Sequence, residues 1–116
     1  MKKFLFTLVI TLLINPLLSS AQDLLQSGPM VGYSTMMEAL LWVQTTKSAK
    51  VRFEYFEQNN PKERFKTETY ATSAKDGFVA KLIANKILPG KKYNYELFIN
   101  NKRVKRDYSM EFQSQS

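Results

Sequence analysis

No cysteine and no histidine occur in these 116 residues, and the two absences remove much of ordinary protein chemistry at once. Thiol nucleophiles, disulfides and lipid-bearing cysteines are excluded, as are imidazole general bases and the usual zinc ligands. Aspartate is scarce: Asp23, Asp76 and Asp107 each stand in a different segment. A calcium or magnesium site needs several converging oxygens, and no DxDxG-like run provides them. Glycine is limited to four residues, and Gly28 and Gly32 are isolated, so no Gly-rich phosphate-cradling loop is present. Glu54 and Glu57 are near neighbours, but one falls on a strand and the other at its end, a poor arrangement for paired-carboxylate catalysis. The sequence therefore offers no catalytic residue, no metal ligand set and no cofactor site.

What is present begins with a leader. Lys2 and Lys3 precede an apolar stretch over residues 4–18, interrupted by Thr7, Thr11, Asn15 and Pro16, and Ser19, Ser20 and Ala21 supply small residues. This pattern predicts a signal peptide over residues 1–21, cleaved before Gln22. The stretch is shorter than the roughly 20 residues of a membrane-spanning helix, and Pro16 ends it. Export without any cysteine points to a bacterial periplasmic or extracellular setting. The formal charge of +7 falls to +5 once Lys2 and Lys3 are removed. Its lysines and arginines are spread along the whole chain, which with export argues for a solvated basic surface and against nucleic-acid binding.

Beyond Gln22 the chain reads as short strands divided by turn formers. Strands are expected over 29–33, 38–45 (EALLWVQT), 51–55, 65–72, 78–84, 93–99 and a last segment reaching Phe112, in which Tyr108, Met110 and Phe112 share a face. Turns are expected at Gln58–Pro61, at Asp76-Gly77, at Leu88-Pro89-Gly90 and at the Asn100-Asn101 hairpin. No helix is expected after the leader. Six or seven strands at this spacing predict an all-β, antiparallel sandwich of the immunoglobulin or fibronectin III kind over residues 22–113, followed by a polar tail over 114–116.

Two features sharpen that expectation. Trp42, the sole tryptophan, sits mid-strand where a large core anchor belongs. Tyr93, just after the Leu88-Pro89-Gly90 corner, is placed to return its hydroxyl to the corner backbone as a tyrosine corner does. Strand 38–45 also carries an anomaly: Leu40 and Trp42 fall on one face and Ala39, Leu41 and Val43 on the other, so both faces are apolar. Either another segment covers the outer face, or that face docks a partner. Lys91-Lys92 and Lys102-Arg103-Lys105-Arg106 form a basic grouping that a sandwich would bring to one end for an anionic ligand, or that guards a strand edge.

The segments 27–33 (SGPMVGY), 38–45 (EALLWVQT), 49–55 (AKVRFEY) and 88–95 (LPGKKYNY) together resemble the N-terminal domain of secreted PhoD-type alkaline phosphatase/phosphodiesterases. The resemblance covers residues 22–113 and implies a fibronectin III-like sandwich. Gln44 stands in the region where that family often has an arginine. The family's metallophosphoesterase domain, which carries its metal ligands and its hydrolysis, is expected just after Phe112, and the chain ends at Ser116. The resemblance thus implies a non-catalytic accessory domain that packs against a metallophosphoesterase domain or subunit. The alternative is a stand-alone secreted binding module for an envelope protein or a glycan.

Overall fold

The computed structural model describes residues 20–116, so all of the expected leader over 1–21 except Ser20 and Ala21 lies outside the described residues. Nine strands form two antiparallel sheets. The smaller has the order β1-β2-β6, from β1 (Leu25–Ser34), β2 (Ala39–Thr45) and β6 (Val79–Ala84). The larger is built on β3 (Lys50–Glu57) and β7 (Lys92–Ile99). β4 (Phe65–Lys66) and β5 (Tyr70–Ala71) flank β3, while β8 (Lys102–Val104) and β9 (Glu111–Gln113) flank β7. This three-on-six arrangement is the antiparallel β-sandwich expected from strand spacing, and no α-helix interrupts the described residues.

Period-two alternation sorts the two faces of β2 and β7. In β2 the buried residues are Ala39, Leu41, Val43 and Thr45; in β7 they are Tyr93, Tyr95, Leu97 and Ile99. The two sheets fill the core differently. The larger supplies Phe53, Tyr55, Tyr93, Tyr95 and Phe112, with Tyr93 and Phe112 stacked at 5.3 Å. The smaller meets these rings with Ala39, Ala80 and Ala84 among its buried residues. Facing sheets pack about 10 Å apart, so large rings on one side require small residues opposite.

Trp42 therefore does not anchor the core. It lies on the outer face of β2, partly covered, with Leu40 and Gln44. The expectation rested on size alone, but the space between the sheets is already filled by rings from the other side.

The tyrosine corner is formed. The Tyr93 hydroxyl accepts a hydrogen bond from the Leu88 N–H at 2.7 Å. Tyr55, also buried, accepts one from the Lys86 N–H at 2.8 Å, so two buried phenols hold the segment entering the corner. The Asn100-Asn101 hairpin is present with both residues in the left-handed region, at φ 50° and 70°.

Two expected strands are broken up. Segment 65–72 divides into β4 and β5, and its linking threonines take over the pairing. The Thr67 hydroxyl accepts from the Phe53 N–H at 2.9 Å, and the Thr72 hydroxyl accepts from the Ala49 N–H at 3.0 Å. Thr72 also shares a 2.7 Å hydrogen bond with Thr45. The last strand likewise splits into β8 and β9, leaving Tyr108 exposed in the connection and Met110 half-buried while Phe112 enters the core. Ser114, placed by the sequence in the polar tail, is buried, with its hydroxyl donating to the Leu88 carbonyl at 2.5 Å and accepting from the Lys91 N–H at 2.9 Å.

Candidate interaction surface

The outer face of the larger sheet is organised by charge. Cross-strand register places Arg52 opposite Phe98, Glu54 opposite Glu96 and Phe56 opposite Asn94. Two like charges directly opposite each other are unfavourable, and arginines resolve them. Arg64 reaches both Glu54 (3.2 Å) and Glu96, Arg52 bonds Glu54 at 2.9 Å and Arg103 bonds Glu96 at 2.7 Å. Burial pushes the Glu54 carboxyl up, but Arg52 and Arg64 outweigh it and hold the group below the usual glutamate range. Glu54 is thus engaged in a structural ion-pair ladder. The two outward aromatic rings lie beneath guanidinium groups, Arg52 over Phe98 at 4.3 Å and Arg64 over Phe56 at 4.9 Å.

The outer face of the smaller sheet is different. Register sets Met30 opposite Trp42 and Trp42 opposite Lys81, while Tyr33 faces Leu40 and Leu40 faces Ile83. Met30 is 50% exposed and Tyr33 43%. Among the described residues no arginine stacks on these rings. Leu40 and Trp42 are partly covered by β1, which carries glycine beside each. A Cβ at Gly32 would fall 2.9 Å from a Leu40 methyl, and one at Gly28, whose φ is +85°, would fall 3.2 Å from the indole. Both large side chains therefore rest against the backbone of β1.

Beyond the free edge of β6 the surface continues. Trp42, Val79 and Lys81 line a shallow groove of about 460 Å³ together with Tyr70 and Asp76. The Tyr70 hydroxyl donates to Asp76 at 2.5 Å, and at the opposite side of the sheet the Tyr33 hydroxyl donates to Glu38 at 2.6 Å. The Tyr70 hydroxyl holds the Asp76 carboxyl below its usual value, and each carboxylate raises the phenol that it accepts from.

The two ends of the sandwich carry further depressions. One, of about 370 Å³, opens between the β3–β4 connection and the tyrosine-corner segment and includes Glu57, Phe65, Ile87 and Leu88. The other lies by Lys50, Arg52, Asn100 and Asn101. The basic grouping is not assembled at either end. Lys92 starts β7 and Lys102 follows its far end, roughly 24 Å away by strand rise. Arg103 is paired with Glu96, and Arg106 lies over the Tyr108 ring at 5.3 Å. Lys102 and Arg103 are exposed along the short edge strand β8, where charge opposes edge-to-edge pairing.

Asp23, Asp76 and Asp107 are not brought together, and no three acidic, histidine or cysteine side chains gather into a metal-holding group among the described residues. The sequence singled out the two-faced apolarity of strand 38–45, but it did not connect Tyr33, Tyr70 and Asp76 to it. Only cross-strand register does so.

The family model of DUF7800, a domain of unknown function, matches residues 22–116. The chain belongs to this family. This chain shares its fold with solved β-sandwiches of low sequence identity. The sensor domain of the anti-sigma factor RsgI4 from Pseudobacteroides cellulosolvens superposes with a TM-score of 0.60 at 12% identity, covering 84% of this chain and 99% of that one. PhoD superposes with a TM-score of 0.61 at 13% identity, covering 76% of this chain but 19% of PhoD. A computationally redesigned β-sandwich protein gives 0.52 at 15% identity, over 78% of this chain and 93% of that one. At these identities the likeness is one of fold, that of a β-sandwich domain. No curated protein matches the chain in sequence.

Proposed function

We propose that this chain is an exported, non-catalytic β-sandwich module that works by binding, through the outer face of its smaller sheet. The observation that carries the reading is the contrast between the two sheets. One buries its outward rings under arginines; the other leaves Met30, Tyr33 and part of Trp42 open beside a groove. A contiguous apolar patch of this kind marks interaction sites. The likeness to a domain described as a sensor supports a module of this class. The test is to purify the chain and assay p-nitrophenyl phosphate and a phosphodiester with calcium, iron or zinc added. No turnover is expected, and turnover abolished by a chelator would overturn the reading.

Export rests on the leader pattern of residues 1–21. Expression in a bacterial host should yield a periplasmic or extracellular product beginning at Gln22, read by intact mass. Ala21 is 7% exposed and packs in the core, so that cleavage would withdraw one buried methyl group.

A second reading is favoured by the PhoD superposition, in which the matched region is a minor part of a larger chain. In that reading the module is the accessory domain of a PhoD-like alkaline phosphatase and packs against a metallophosphoesterase domain. A neighbouring gene for such a domain, and co-purification of its product with this chain, supports the second reading. Failure of the two to associate when co-expressed removes it.

A further inference from the structure

We infer that the outer face of the β1-β2-β6 sheet, continued over the edge of β6, is a platform for a neutral, hydroxyl-rich polysaccharide. The inference rests on the binding-module reading and names its ligand class. Tyr33 on β1 and Trp42 on β2 lie on a diagonal of the face, and Tyr70, on β5 of the larger sheet, lines the groove with Trp42 beyond the β6 edge. From strand spacing and rise, Tyr33 and Trp42 are roughly 8 Å apart. An aromatic face carries a negative quadrupole and so attracts the C–H-bearing face of a sugar ring.

Polar groups accompany the rings in a repeated pattern. Tyr33 is bonded to Glu38 and Tyr70 to Asp76, and Lys81 stands directly opposite Trp42. This pairing argues against a dry protein interface. Covering the face with another domain's apolar surface would strip water from two carboxylates and an ammonium that lack charged partners within ion-pair distance among the described residues, a heavy desolvation cost. A polyol supplies hydroxyls that donate to Glu38 and Asp76 and accept from Lys81. The mixture of signs also selects for neutrality, since a polyanion meets Asp76 and Glu38 and a polycation meets Lys81.

The glycines of β1 support the same use. Gly28 and Gly32 leave room for the Trp42 and Leu40 side chains to rest against the strand, which keeps the surface low enough for an extended chain to cross it.

Trp42 is the sole tryptophan, so its emission reports on the platform directly. The purified chain is run in native gels containing hydroxyethylcellulose, xylan or galactomannan, with polygalacturonate as the polyanion. Its tryptophan emission is then titrated with oligosaccharides of any polymer that retards it. Retardation by at least one neutral polymer is expected, with a change in emission. Trp42→Ala should weaken the interaction by about tenfold or more, the effect of losing one stacked ring. Lys81→Ala and Tyr70→Ala, at exposed positions, should weaken it while leaving the thermal midpoint near that of the parent, and they decide the matter if Trp42→Ala fails to fold. Retardation by no neutral polymer, by polygalacturonate alone, or without a response of Trp42 would overturn the platform. If a co-expressed metallophosphoesterase domain shields Trp42 when no neutral polymer does, the platform fails while the binding-module reading stands. Chelator-sensitive turnover by the chain alone removes the binding-module reading itself.

Discussion

On the outer face of the larger sheet, Phe56 and Phe98 lie under Arg64 and Arg52, and every charge on the Glu54–Glu96 rungs is answered by a guanidinium. On the outer face of the smaller sheet, Trp42 and Tyr33 have no such cover, and their polar neighbours are single groups placed at the rim. Both faces are solvent-facing sides of the same sandwich. The difference teaches where each sheet spends its outward residues. The larger sheet uses them to reinforce itself, and the smaller one holds them available to something else.

Core truncation sets the scale for testing this contrast. Phe53→Ala, on the inner side of the larger sheet and fully buried, should cost about 3–5 kcal/mol, read from the denaturant midpoint. A reinforcing outer face predicts the next largest effect at Glu54. Glu54→Gln leaves Arg52 and Arg64 without their shared carboxylate and should cost about 1–3 kcal/mol, an amount that shrinks in high salt. A cost near zero at low salt would break the contrast. Trp42→Ala should cost about 1–2 kcal/mol, since its ring is only partly buried, with no salt dependence; a cost as large as that of Phe53→Ala would mean that Trp42 belongs to the core after all.

Titration separates the two sides further. Burial, with a smaller contribution from Tyr108, pushes the Tyr95 phenol up to about 12, and burial also raises Tyr55. The neutral phenols are favoured in the folded chain, so their contribution is complete below the ordinary tyrosine value of about 10. It is lost as pH rises from there toward 12, because the unfolded chain ionises first. Glu54 behaves in the opposite sense. Its folded value is depressed, so its contribution is present above the ordinary glutamate value of about 4.3 and lost as pH falls below it. Stability followed against pH should weaken at both extremes, and Glu54→Gln should remove the Glu54 share of the acid limb while leaving the alkaline limb unchanged. The smallest effect belongs to Lys81→Ala, expected within about 0.5 kcal/mol of the parent.

Strand periodicity made much of the fold legible. The alternation in 38–45 correctly grouped Leu40 with Trp42 and opposed them to Ala39, Leu41 and Val43. Alternation assigns residues to faces but does not say which face is inside. Here that was decided by the rings of Phe53, Tyr55 and Tyr95 across the sandwich, which left room only for small and branched side chains on β2. The corner at Leu88-Pro89-Gly90 was readable because proline, glycine and tyrosine act locally there. The platform was not, because the β1–β2 register, with its shift at Gly32, decides that Tyr33 and Trp42 share a face, and Tyr70 comes from β5 of the other sheet. The dispersal of the basic grouping was hidden for the same reason: Lys92 and Lys102 flank β7, and an extended strand carries its ends apart.

Thr67 and Thr72 have a consequence for how this chain opens. The excursion from Gln58 to Phe78 contains only two strands of two residues each, and unpinned it would be the natural place for partial unfolding and protease entry. Each threonine presents its hydroxyl to a β3 or pre-β3 amide while its own N–H bonds a carbonyl of Phe53 or Ala49, so each mimics one rung of a ladder. The excursion is thereby divided into short closed segments that must come loose separately. Amide protons of Ala49 and Phe53 should then exchange with solvent on the timescale of the whole domain. Thr72→Val, which removes the hydroxyl's bonds to Ala49 and Thr45 but keeps the residue 72 N–H bond to Ala49, should speed exchange at Ala49 and protease cleavage of the excursion.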